Sequence, residues 1–304
     1  MISRFPVYQD VCMSPHLAGA LYVAVSASCF GAMAIFAKYA YQDGVDVPTL
    51  LLLRFSIAAV TMVAIVVAQR RAWPRGLNFW LLAAMGGIGY VGQSYCFFSA
   101  LEFASAALVA LLLYLHPFMV TLLSAALFGQ ALTRIRLLAV FAALLGTALI
   151  IGADVSGQPV GIALGVAAAV IYSAYLLTAN RVMRHEDPVA ASTLVMSAAA
   201  VSLALLASFN GVALPQSLPG WSAILAIAGV STVIAMVCLF IGIQRLGAAD
   251  AATLSTLEPV VTTVLAAALL GEQISAVQVL GGGVILGAVI VLARYGQPAP
   301  RPAP

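Results

Sequence analysis

Apolar residues run through this chain in long unbroken blocks and do not alternate with polar ones. At a rise of about 1.5 Å per residue, roughly 20 apolar residues carry a helix across a bilayer core, whereas transmembrane strands need about ten residues of alternating polarity. The blocks have the helical length. Ten helical spans are predicted, at about 17–41, 48–69, 77–101, 104–128, 134–152, 159–182, 189–209, 220–245, 248–270 and 275–294. The connections are short and carry turn signals: Asp43-Gly44, Trp73-Pro74, Ser156-Gly157-Gln158-Pro159, Asp187-Pro188 and the stretch from Pro215 to Gly220. They leave no room for a soluble domain. The predicted organisation is a cytoplasmic segment 1–16, a five-helix unit 17–152, a second five-helix unit 159–295 and a Pro/Ala-rich, disordered cytoplasmic tail 296–304.

Composition narrows this to an all-α membrane protein. The chain of 304 residues is 63% hydrophobic and 8% charged, against about 25% charged in soluble domains. A net charge of +3 is too small to argue for nucleic acid. Cys29, Cys96 and Cys238 lie inside apolar runs, where cysteine packs as a small hydrophobe. Residues 1–17 do not read as a signal peptide, because the run that follows is of full spanning length and lacks a small-residue cleavage site. Met13 offers an alternative start.

The distribution of charge tests the count. With ten spans, one face carries both termini and the loops after spans 2, 4, 6 and 8. That face holds Arg4, Arg70, Arg71, Arg75, Arg134, Arg136, Arg181, Arg184, Arg245, Arg294 and Arg301, which are 11 of the 13 Lys and Arg residues. Only Lys38 and Arg54 are left near the opposite face. Loops rich in Lys and Arg stay in the cytoplasm, so both termini are expected there.

An internal repeat provides a second test. One constant shift places Gly19 on Gly161, Cys96 on Cys238, Pro117 on Pro259, Thr121 on Thr263 and Gly129 on Gly271. From Ala106 to Gly129, 12 of 24 positions are identical without a gap. Five spans per repeat is odd, so the second copy enters the membrane from the other side. Secondary transporters are built from such inverted repeats, with the binding site near the midplane between them.

These features carry a resemblance. The 5+5 spans, the lysine closing span 1 (FGAMAIFAKYA, Lys38), the arginine in span 2 (LLLRFS, Arg54) and the blocks YLHPFMVTLLSAALFGQAL and STLEPVVTTVLAAALLGEQIS together resemble the EamA family of the drug/metabolite transporter superfamily, over roughly residues 17–295. The first copy departs from the family pattern, with Gln130 where Glu272 stands in the second and His116 before its proline. The resemblance implies an inner-membrane exporter or importer of small metabolites, often amino acids, working by alternating access.

Among the candidate site residues, Glu258 lies about ten residues, roughly 15 Å, into its span. A carboxyl group there serves either as a proton carrier or as counter-charge to a substrate ammonium. Structurally, it could instead bond the carbonyl that Pro259 leaves free, or a neighbouring helix. His116, at the equivalent place before Pro117, is either a buried neutral ring or a proton-linked or aromatic-binding group. Lys38 and Arg54, the latter about 9 Å into its helix, either snorkel or pair with Asp43 or Asp46, or else form an outer gate or anion contact. Tyr90, Gln93, Ser94 and Tyr95 make a polar patch in span 3 after Gly86, Gly87, Gly89 and Gly92. Tyr114, Tyr172, Tyr175 and Asn180 add polar groups from spans 4 and 6, suited either to a zwitterionic or ring-bearing ligand or to packing between helices. Trp73, Trp80 and Trp221 read as interfacial anchors.

No metalloprotease, serine-hydrolase or nucleotide-binding signature is present. The expectation is a transporter with no cofactor and no metal, whose partners are a small-molecule substrate, the bilayer and, for coupling, protons. Lipophilic-cation efflux and a passive channel remain the alternative functions. Reporter fusions test the orientation: a fluorescent protein joined after Pro304 should fold and fluoresce, and alkaline phosphatase joined there should be inactive. The opposite pattern contradicts the charge reading.

Overall fold

The computed structural model describes residues 15–152 and 156–295. The readings of residues 1–14 and of the tail from 296 fall outside the described residues. Within them the chain forms ten helical rods. These are α1 (Pro15–Gln42), α2 (Val47–Ala68), α3 (Leu77–Ala84 continuing into Val91–Ala100), α4 (Ala106–Leu113, then His116–Phe128), α5 (Arg134–Ile151), α6 (Pro159–Val182), α7 (Pro188–Asn210), α8 (Leu218–Ala228 continuing into Ala235–Leu246), α9 (Ala248–Leu254, then Leu257–Leu270) and α10 (Ala276–Tyr295). Nine are long and apolar enough to cross a membrane. The exception is α3, whose glycine-rich and polar middle dilutes its apolar character.

The helix ends follow from local sequence. Side chains of Asp46, Thr133, Asp187 and Ser217 accept hydrogen bonds from the free N–H groups that open α2, α5, α7 and α8. Gly129 and Gly271 close α4 and α9 in the left-handed conformation, which only glycine adopts without strain. Interruptions fall where sequence places them. α4 breaks at Tyr114–Leu115, ahead of His116-Pro117, and α9 breaks at Ser255–Thr256, ahead of Glu258-Pro259. Not legible in sequence are two π turns, Met85–Tyr90 in α3 and Gly229–Ile234 in α8.

The repeat is also present in the packing. A Cβ on Gly19 would meet Leu246 and Arg245, and one on the equivalent Gly161 would meet Ala104 and Phe103. Leu246 and Arg245 are the repeat equivalents of Ala104 and Phe103, so the same contact is made twice with the two copies exchanged. His16 Nδ1 lies 3.1 Å from the Ala293 carbonyl, so the two ends of the described chain share one face. The interior is filled by Phe55, Met62, Leu82, Leu176, Met196, Met236 and Phe240. Val60, Leu138, Leu145, Val201 and Leu205 point outward, exposed, as lipid-facing residues do. Trp73, Trp80 and Trp221 are exposed at or beside helix ends.

α5 and α10 meet backbone to backbone. A Cβ on Gly146 would lie 2.7 Å from the Gly281 carbonyl oxygen, and one on Gly281 would lie 2.6 Å from that of Gly146. Gly146→Leu should therefore destabilise the protein by about 1–3 kcal/mol, the usual range for overpacking. Thermal unfolding in detergent measures it, and an unchanged midpoint contradicts the close crossing.

Candidate functional site

A cavity of about 120 Å³ sits where the broken helices meet α1, α3, α6 and α8. Glu258, His116, Tyr90, Tyr114, Tyr172 and Tyr175 all line it, together with Gln93. Phe30, Met33, Leu113, Met236 and Leu239 complete the wall. These apolar positions carry no signal in a chain that is apolar throughout.

Each proline removes a backbone donor, and the two helices replace it differently. In α4 the Leu113 carbonyl accepts from His116 Nδ1 at 3.0 Å. A carbonyl only accepts, so Nδ1 carries the hydrogen and Nε2 is the bare nitrogen of the neutral ring. Nε2 is buried and unpartnered, and the ring stands edge-on to Tyr172 with centroids 4.7 Å apart. In α9 the equivalent carbonyl, that of Ser255, accepts from the Glu258 backbone N–H at 3.0 Å. The Glu258 side chain takes no part in this repair, so the structural alternative for it fails. Its carboxyl group has no hydrogen bond or ion pair among the described residues and lines the cavity. Gly31 of α1 fixes its backbone. A Cβ at Gly31 would meet the Glu258 carbonyl at 2.7 Å, and Thr262 Oγ1 donates to both the Gly31 and the Glu258 carbonyls, at 2.9 and 3.1 Å.

Several sequence candidates lie elsewhere. Tyr95 is 72% exposed on the outside of α3. Ser94 is buried but does not line the cavity, and Gln93, three residues after Tyr90, takes that place. Asn180 sits at the face of the termini, accepting from the Ala248 N–H at 3.1 Å. Lys38 pairs with Glu272 at 3.3 Å, both half-exposed, and with neither Asp43 nor Asp46.

Arg54 does not snorkel and does not lie at the outer surface. It is 2% exposed inside the bundle. Asp43 is engaged elsewhere, since hydrogen bonds from Ser217 and from the Gln216 backbone hold its carboxyl below the usual carboxylate range. Asp46 caps α2. No carboxylate among the described residues lies within ion-pair range of Arg54.

Sequence reasoning missed a buried ionic pair, as well as the more exposed Arg71–Asp187 pair at 2.6 Å. Arg136 of α5 grips Asp250 of α9 with two hydrogen bonds, at 2.6 and 3.0 Å, in a buried contact near the face of the termini. His16 Nε2 is 3.9 Å from the same carboxylate. Arg136 reads as one more loop charge, but Asp250 is an acid near the start of an apolar span, and that was the available signal.

The model of the EamA-like transporter family matches the chain twice, over residues 17–152 and 159–294. The chain belongs to the EamA-like transporter family. It is 27% identical over 288 residues to the uncharacterized transporter YcbK of Bacillus subtilis (strain 168), covering 88% of this chain and 89% of YcbK. It is 26% identical over 253 residues to the uncharacterized transporter YyaM of the same strain, covering 78% of this chain and 81% of YyaM. A protein of known crystal structure superposes with a TM-score of 0.77 at 25% identity, over 91% of this chain and 97% of the other. This EamA-like chain is therefore a multi-pass membrane protein of a transporter family.

Removing one partner from a buried ion pair strands the other, at a cost of about 3–5 kcal/mol, whereas apolar replacement of both is near neutral. Asp250→Asn should lower the melting midpoint markedly, and the Arg136→Met/Asp250→Leu double variant should recover most of the loss. A double variant no better than the single contradicts the pairing.

Proposed function

We propose that the protein is an inner-membrane secondary transporter that moves small metabolites, amino acids or related compounds, by alternating access with export favoured. The observation that carries this reading is the unpaired Glu258 carboxyl group, opening onto a cavity built at the breaks of α4 and α9. A carboxyl group at membrane depth without a protein partner suits a substrate ammonium or a transported proton. His116 lines the same cavity, and its Nε2, buried without a partner, suits an N–H donor as a second acceptor. The aromatic wall of Tyr114, Tyr172 and Tyr175 suits a cation or a ring.

Alternating access gains support from contacts between the repeats at both faces. Arg136–Asp250 joins α5 to α9 at the face of the termini, and Lys38–Glu272 joins α1 to the loop after α9 at the other. A rocking motion of one repeat against the other breaks these contacts in turn. The cytoplasm is the face of Arg136, because the arginines cluster there. Lipophilic-cation efflux is the weaker reading. A cavity of about 120 Å³ falls well below the roughly 300–1,000 Å³ that drug-sized ligands occupy.

Glu258→Gln should reduce transport in proteoliposomes about tenfold or more, as loss of a charged hydrogen bond does, while the protein still inserts and melts as a folded species. Undiminished counterflow by that variant contradicts the assignment.

A further inference from the structure

The two π turns among the described residues each place a side chain on Arg54. Arg54 Nη2 donates to Tyr90 Oη at 2.9 Å, and Tyr90 is the last residue of the π turn in α3. Arg54 Nε donates to Thr232 Oγ1 at 3.1 Å, and Thr232 lies within the π turn of α8. π turns are rare and concentrate at functional sites. Here two of them meet at one buried guanidinium. Met33 Sδ, at 2.9 Å from Nη1, is the third contact. The rings of Phe55 and Tyr90 lie 4.7 and 5.5 Å from the guanidinium carbon.

All of these partners are neutral. A buried cation costs several kcal/mol to desolvate unless a counter-charge meets it, and no described carboxylate is in range. A guanidinium has five N–H donors, of which these contacts use three. Tyr90 and Met33, which cover it, are themselves wall residues of the cavity. The Tyr90 oxygen accepts from Arg54, so the hydroxyl hydrogen is left to donate, and among the described residues the Tyr90 side chain makes no other hydrogen bond.

We propose that Arg54, acting through Tyr90, forms a subsite for the carboxylate end of the substrate, set apart from the amine subsite at Glu258. The cavity then takes a zwitterion with its two charges held by different walls. Tyr90 is the contacting group. Arg54 is the positioning residue that orients the Tyr90 hydroxyl and supplies the positive field, and its two spare donors reach the ligand when the wall yields. This inference rests on the transport reading above, and it divides specificity between two separable sets of residues.

The test uses purified full-length protein and three families of probe: the common amino acids, their amides, which lack the carboxylate, and their N-acetyl derivatives, which lack the ammonium. Binding is read by thermal shift and by calorimetry. Wild-type protein should bind an amino acid about tenfold or more tightly than its amide, the loss expected for a charged hydrogen bond. Tyr90→Phe and Arg54→Gln should abolish that acid-over-amide preference and keep the preference for the free amine over the N-acetyl form. Glu258→Gln should do the reverse. Tyr90→Phe leaves Arg54 in place, so it decides the matter even where Arg54→Gln fails to fold. An unchanged acid-over-amide ratio in Tyr90→Phe overturns the subsite. Amides that bind wild-type protein as well as the amino acids overturn the carboxylate subsite but leave the Glu258 reading standing. A panel in which neither class binds overturns both.

Discussion

A proline inside a membrane span leaves a carbonyl without its donor, and no water is at hand to replace it. This chain meets that constraint twice, at Pro117 and Pro259, and everything about the cavity follows from how it does so. In α4 the His116 imidazole supplies the missing donor. In α9 the backbone of Glu258 does. The first solution commits one ring nitrogen to structure and leaves the other bare. The second leaves a whole carboxyl group free. The same fold device, used in two inverted copies, thus yields two chemically different walls around one space.

That asymmetry extends to both faces. The repeat equivalents of Lys38 and Glu272 are Asn180 and Gln130. An ion pair at one face therefore corresponds to two amides at the other, where Asn180 Nδ2 and Gln130 Oε1 are buried without partners. Conversely, the buried Arg136–Asp250 pair corresponds to Gln278 and Leu108, which form no such pair. A strictly symmetric machine would open equally well to either side. In the proposed alternating-access cycle the contacts at the two faces differ in charge and burial, so the two closed faces would have different energies.

Much of this was legible in sequence because the bilayer demands it. Helices of spanning length, arginines on one face and a proline recurring at the same place in both repeats all reflect constraints that leave little freedom. Glu258, His116 and the tyrosines at 90, 114, 172 and 175 stood out as polar groups in apolar helices, and they share one cavity. Where sequence reading failed, the missing information was azimuth. Rise per residue locates Arg54 in depth but does not say whether it faces lipid or bundle, and it likewise does not separate Tyr90, which lines the cavity, from Tyr95, which is exposed. Met33, Met236 and Phe30 are apolar among apolar residues. The partner of Asp250 could not be found, because Arg136 had already been absorbed into the pattern of loop charges.

The central claim is that the Glu258 carboxyl group is a free, cavity-facing group that substrate occupies. Covalent labelling tests it most directly. Hydrophobic carbodiimides react with protonated carboxyl groups at membrane depth, and peptide mass analysis reports which one is modified. Glu258 should be labelled in wild-type protein, and a compound that raises the protein's melting midpoint should slow that labelling in proportion to its occupancy. Labelling of Glu258 that no stabilising compound slows, or a Glu258 that stays unmodified while other carboxyl groups react, would contradict it.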